Sequence, residues 1–104
     1  MKPIVERLEA LLNSQGESAV LRFSLGNACL ESAPVQAVHH LERAVALDPD
    51  YSAAWKLLGK ARVASGDEAG ARAAYSQGIA VAEKRGDIQA AKEMRVFLKR
   101  LERT

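Results

Sequence analysis

Leu25-Gly26-Asn27-Ala28 returns as Leu58-Gly59-Lys60-Ala61, 33 residues further along the chain. Downstream of each copy the likeness continues. Ala37, Leu41 and Ala44 correspond to Ala71, Tyr75 and Gly78 at a spacing of 34, and one residue missing from the first loop reconciles the two steps. In the second copy Trp55, Leu58, Gly59 and Arg62 stand at i, i+3, i+4 and i+7, which places them on one face of a helix. Small residues at Gly59, Ala71 and Gly78 allow two helices to approach closely, and Tyr75 fills the space between layers.

Outward from these copies, the chain reads as six helical segments with short punctuation. The spacing predicts helices over about Pro3–Asn13, Ser18–Leu30, Pro34–Leu47, Tyr51–Ser65, Glu68–Arg85 and Ile88–Arg103. Pro3 and Pro34 suit first turns, where a missing N–H costs nothing. Asp48-Pro49-Asp50 is a strong stop, because proline breaks the ladder and pushes its predecessor out of the α region. Asp50 is then the expected N-cap of the fourth helix, and Gly66-Asp67 and Gly86-Asp87 close one helix and cap the next. Every connection is two to four residues long, so neighbouring helices must run antiparallel.

Composition agrees with an all-α chain. Its 104 residues amount to one domain, 48% hydrophobic and 27% charged with a net charge of +2. That excludes a disordered or fibrous protein. Aromatics are 5%, so the core is built from Leu, Val and much Ala, which favours helices over strands. The single cysteine, Cys29, reads as a small buried hydrophobe and fits a reducing compartment. No apolar run approaches the ~20 residues of a membrane span, and Met1-Lys2-Pro3-Ile4 leads into charge instead of a signal segment. A cytoplasmic protein is expected. From Lys84 onward seven basic residues face three acidic ones, a mild bias well short of the clustered charge of nucleic-acid binding.

A helix-turn-helix unit of ~34 residues is the tetratricopeptide period, and the chain resembles the tetratricopeptide repeat (TPR) family over about Glu17 to Arg85. Trp55-Lys56-Leu57-Leu58-Gly59 fits the W-x2-L-G segment, and Ala71 and Tyr75 fit A-x3-F. Pro49, within Leu47-Asp48-Pro49-Asp50-Tyr51, matches the closing proline of the first copy. The departures are Arg22 in place of the first Trp, Arg62 in place of an aromatic, and Glu83 in place of the second proline. The last predicts that helix five runs on without a sharp stop. The resemblance implies antiparallel hairpins stacked as a short right-handed superhelix. In such a fold Leu25, Gly26, Ala37, Leu41, Ala44, Pro49, Trp55, Leu58, Gly59, Ala71, Tyr75 and Gly78 are the repeat-packing residues.

Two repeats bury their apolar faces only against neighbours, and the flanking helices are expected to close the stack. The domain is divided into an N-terminal flanking helix (1–16), repeat 1 (17–50), repeat 2 (51–85) and a C-terminal capping helix (86–104). Ile4, Leu8 and Leu11 would cover one end. Ala91, Met94, Leu98 and Leu101, with Ala90 and Phe97 beside them, form either a cap seated in the other end or part of a dimer interface.

Catalytic chemistry finds no footing. His39 and His40 are adjacent and point ~100° apart on a helix, and neither Glu31 nor Glu42 completes a metal set with them. Cys29 has no oxyanion-type loop to serve it, and Gly66-Asp67-Glu68-Ala69-Gly70 lacks the Lys-Ser/Thr ending of a phosphate loop. No enzyme, metal or cofactor is expected. The function must rest on a surface. In the family's architecture the first helix of each hairpin lines a concave groove. That set is Val20, Phe23, Ser24, Asn27 and Leu30 in one copy, and Ala53, Lys56, Leu57, Lys60 and Val63 in the other. Exposed Phe23 and Leu57 beside Asn27, Lys56 and Lys60 suit an acidic peptide with an apolar anchor. Asn27 and Lys60 partly match the carboxylate clamp of some family members, although Phe23 stands where those have Lys. Lys92, Arg95, Lys99 and Arg103 form a basic stripe on the last helix. The reading is a protein-interaction module, monomeric or weakly dimeric, with self-association through the last helix as the alternative.

Overall fold

The computed structural model describes residues 3–103. Met1, Lys2 and Thr104, the outer ends of the two expected flanking segments, lie outside them. The described residues form six helices: α1 Pro3–Gln15, α2 Ala19–Cys29, α3 Pro34–Leu47, α4 Ser52–Ala64, α5 Glu68–Arg85 and α6 Ile88–Glu102.

The helix ends are set by local chemistry. The Ser18 hydroxyl accepts from the backbone N–H of Leu21 at 3.1 Å and starts α2. The Asp67 carboxylate accepts from Gly70 N–H at 2.9 Å, and Asp87 does the same for Ala90 at 3.3 Å. Gly86 ends α5 with φ of 75°, a left-handed conformation that costs glycine nothing. Helix five thus runs on past Glu83 to Arg85, 18 residues in all, and stops at Gly86. The expected cap at Asp50 is corrected. The cap position is Tyr51, without a side-chain bond, and Asp50 is instead held by α5: its carboxylate takes Lys84 at 3.0 Å and its carbonyl takes Arg85 at 2.6 Å. A lysine brought in by α5 takes the carboxylate that would otherwise cap the helix. Among the caps, Asp67→Ala is expected to cost about 0.5–2 kcal/mol, read as a lower midpoint in urea unfolding.

Each helix packs antiparallel on the next, and α4 also touches both α2 and α6. Two layers result, with α2, α4 and α6 side by side in one and α3 and α5 behind them. Leu41, Leu57 and Leu58 centre one core cluster, and Tyr75, Ala82, Ala91 and Met94 centre a second. Close approach inside each hairpin depends on glycine. A Cβ on Gly26 would stand 2.5 Å from Cγ of Leu41, and one on Gly59 would overlap the Tyr75 ring. Burial also pushes the Tyr75 hydroxyl up to about 12.

Helix α1 is the loosest element and contributes no buried residue. Val5 packs against the first cluster, and Leu8 and Leu12 are half-buried, whereas Ile4 and Leu11 are exposed. This corrects the expected covering by Ile4, Leu8 and Leu11. A helix with one neighbour has room for one inward stripe, and the stripe used is Val5, Leu8 and Leu12.

On the back of the stack, Glu17 accepts from Arg43 at 2.8 Å and Arg22 at 2.9 Å, which holds its carboxyl down at about 2. Arg22 also donates to Nδ1 of His40 at 2.9 Å. Because arginine is always a donor, Nδ1 must be the bare nitrogen and His40 neutral. Burial lowers the His40 pKa, Arg22 and His39 lower it further, and Glu9 opposes them. The unfolded chain therefore takes up a proton that the folded chain refuses. The His40 contribution to stability is full above the ordinary histidine value of about 6.5 and is lost as pH falls from there through the lower folded value. His40→Gln is expected to flatten that loss, measured as unfolding midpoints at pH 8 and pH 5.5.

Candidate functional surface

The layer made by α2, α4 and α6 carries a stripe of accessible side chains on the side away from α3 and α5. On α2 the helical step aligns Val20, Phe23, Ser24 and Asn27, and on α4 it aligns Ala53, Lys56, Lys60 and Val63. Val20 and Val63 are 65% and 41% exposed, a substantial apolar surface for a face that none of the described helices covers. Asn27 and Lys60 are exposed beside them.

Several of the expected groove residues have taken partners. Phe23 is half-buried, its ring tilted against Tyr51 at 5.0 Å between centroids, so it closes the seam between α2 and α4 instead of standing free. Leu30 is half-buried against the first cluster. Leu57 is a correction: it lies in the core, because α2 and α3 pack close enough to enclose the edge of α4. Lys56 donates to Glu93 of α6 at 2.7 Å. Bonds from Lys56 and Gln89 hold the Glu93 carboxyl below the usual range, and the nearby charge of Lys60 adds to this. Lys60 lies over the Phe97 ring, 5.2 Å from its centre.

The expected packing residues occupy the interior with two exceptions. Leu25, Ala37, Leu41, Ala44, Leu58, Ala71 and Tyr75 are buried. Gly26, Gly59 and Gly78 sit where helices meet, Gly78 against Met94 and Cβ of Trp55. Pro49 is exposed, and its role is carried by its carbonyl, which accepts from Nε1 of the half-buried Trp55 at 2.8 Å. Arg62 stands in for the missing aromatic by donating to the Gly70 carbonyl and to Glu42, both at 3.0 Å.

Helix α6 is what sequence reasoning undervalued. It is not merely a lid, since it supplies Glu93, Phe97, Arg100 and Leu101 to the same face as α4. The signal was available. The 33-residue step from Leu25 to Leu58 reaches Ala91 when taken once more, so α6 stands in the position of a third first-helix. The Ser52 hydroxyl donates to the Asp87 carboxylate at 3.1 Å and ties the starts of α4 and α6 together. Met94 and Ala91 are buried inside the chain, which uses up the centre of the apolar face offered for self-association. Of the basic stripe, Arg95 pairs with Glu83, while Lys92, Lys99 and Arg103 are exposed.

The face has a cleft at each end. One of about 480 Å³ lies by the starts of α2, α4 and α6, bordered by Val20, Tyr51, Ala53 and Arg85. The other, of about 230 Å³, opens between the ends of α4 and α6. Among the described residues no three His, Cys, Asp or Glu side chains converge as a metal set, and no helix is long and apolar enough to cross a membrane.

Residues 30–94 match a family profile described as tetratricopeptide repeat. That match begins just before α3 and runs into α6, in keeping with α6 as part of the repeat array. The chain is 52% identical over 101 residues to a TPR repeat-containing protein of Pseudomonas aeruginosa, with 96% of each covered. Its fold is similar to that of a Bordetella parapertussis protein solved in solution, with a TM-score of 0.84 at 48% identity over 99% of this chain and 90% of that one. The crystal structure of MamA superposes with a TM-score of 0.70 at 23% identity, covering 95% of this chain and 65% of that one, and shares the fold.

Proposed function

Because the chain belongs to the tetratricopeptide repeat family, whose members commonly serve as protein-interaction modules, we propose that it binds an extended segment of a partner protein across α2, α4 and α6. The observation that carries this reading is the open stripe Val20, Asn27, Lys60 and Val63. These side chains project from two parallel helices with none of the described elements laid across them, and they combine apolar area with amide and ammonium donors. The opposite layer is spent on packing the hairpins. The role is that of a non-catalytic adaptor that presents a rigid surface, with the partner's segment ordering on it.

Two charge-bearing variants test the face. Val20→Glu with Val63→Glu alters the proposed surface, and Val35→Glu with Gln77→Glu alters the outer layer at positions that are also exposed. The first pair is expected to weaken capture of partner proteins at least about tenfold, while the second leaves it unchanged. Equal losses in both pairs would place recognition elsewhere. Quantitative affinity capture, with melting curves to verify that both variants fold, reads the difference.

A further inference from the structure

The smaller cleft is lined by Lys60, Val63, Tyr75, Phe97, Arg100 and Leu101. Pockets that enclose whole small molecules run to about 300–1,000 Å³, so its volume of about 230 Å³ admits one side chain instead of a cofactor. The walls are apolar: Val63, Leu101 and the rings of Tyr75 and Phe97, which lie 5.6 Å apart. The rim is cationic. Lys60 Nζ and Arg100 Cζ stand 5.2 and 5.9 Å from the centre of the same Phe97 ring. Lys56, one turn from Lys60, has its carboxylate in Glu93. Among the described residues neither Lys60 nor Arg100 has an ion-pair partner. Two like charges gathered over one ring, with the nearby Glu93 already bonded to Lys56, make a site that a further carboxylate completes.

Resting on the groove reading above, we propose that this cleft seats a single large apolar side chain of the partner segment, and that Lys60 and Arg100 bind carboxylates carried next to that side chain. A segment with its acids flanking a leucine, methionine or phenylalanine meets both features at once. Phosphate alone answers the cations and leaves the apolar walls unfilled.

The full chain, labelled with nitrogen-15, is titrated with the synthetic peptide Gly-Ser-Glu-Glu-Phe-Glu-Glu-Ser-Gly while amide shifts are followed. Shifts at Lys60, Val63, Phe97 and Leu101 are expected, with affinity that falls as salt is added. Replacing the peptide's Phe by Ala, or its Glu by Lys, is expected to weaken binding at least about tenfold. So is Lys60→Glu with Arg100→Glu, two exposed positions whose reversal leaves the core untouched. Val63→Trp, which fills the mouth and keeps both charges, is expected to abolish binding, and Lys60→Arg to preserve it. Shifts confined to Val20, Asn27 and Lys56, indifferent to the peptide's charge, overturn the pocket and leave the wider groove reading standing. Shifts at the pocket with Val20 and Asn27 unmoved support the pocket and overturn an interface that extends to α2. Equal pocket shifts from an oligothymidylate, or none from the acidic peptide, overturn the proposal.

Discussion

Leu41→Ala is expected to lower stability by about 2–5 kcal/mol, towards the upper part of that range. The cost of a cavity depends on how well its surroundings collapse, and the face opposite Leu41 has little to offer. Leu41 is completely buried in α3 and lies over Gly26 of α2, which has no side chain to move into the gap. Ala37 and Ala44 on the same helix are short as well, which leaves any closure to the larger members of the cluster such as Leu57 and Leu58. A domain of this size loses roughly 4–8 °C of melting temperature per kcal/mol. The variant should therefore melt roughly 8–40 °C lower, by calorimetry or circular dichroism. A loss below about 1 kcal/mol would mean that α1 or α2 shifts to fill the space. The seating of Leu41 on a glycine would then not be the contact that holds the first hairpin.

The second hairpin repeats the arrangement with a larger side chain, and the opposite substitution tests it. Gly59→Ala is expected to destabilise by about 1–3 kcal/mol through overpacking. Its sign is informative, since replacing glycine inside a helix would otherwise gain up to about 1 kcal/mol. The added Cβ overlaps the edge of the Tyr75 ring, and Tyr75 is 2% exposed with Phe97 on its flank, so the ring can give way only towards the cleft it lines. In a Tyr75→Ala background the same alanine should be nearly neutral. The interaction term of the double-mutant cycle, read from urea unfolding, is then of the order of the single-mutant cost. Additive effects would show that the contact is softer than its geometry. Both experiments probe one device, a glycine on the first helix of each hairpin receiving the large residue of the second.

That device was legible in the sequence, because it is a matter of spacing. Leu25-Gly26 and Leu58-Gly59 mark the receiving helices, and Leu41 and Tyr75 mark the inserted residues. Helix limits were legible for the same reason: prolines, glycines and capping side chains act within a turn of themselves. Asp67 and Asp87 cap as local chemistry requires. Asp50 does not, because its partners are Lys84 and Arg85, which no local pattern brings near.

The surface was much less legible. A helical wheel assigned Leu57 and Phe23 to an open groove, yet burial depends on how closely neighbouring helices approach. Leu57 went into the core, and Phe23 found Tyr51. Lys56 and Lys60 look equivalent along α4, one turn apart. Only the arrival of α6 distinguishes them, as one meets Glu93 and the other meets Phe97.

By itself the sequence determined the hairpins, their antiparallel stacking and the residues that lock each pair, because those rest on periodicity and on backbone chemistry acting over a few residues. The tertiary structure alone decided which side chains remain available to a partner. Exposure is a property of the packed layers: the seating of α6 beside α4 closes some of that face and, around Phe97, builds a cleft that no single helix contains.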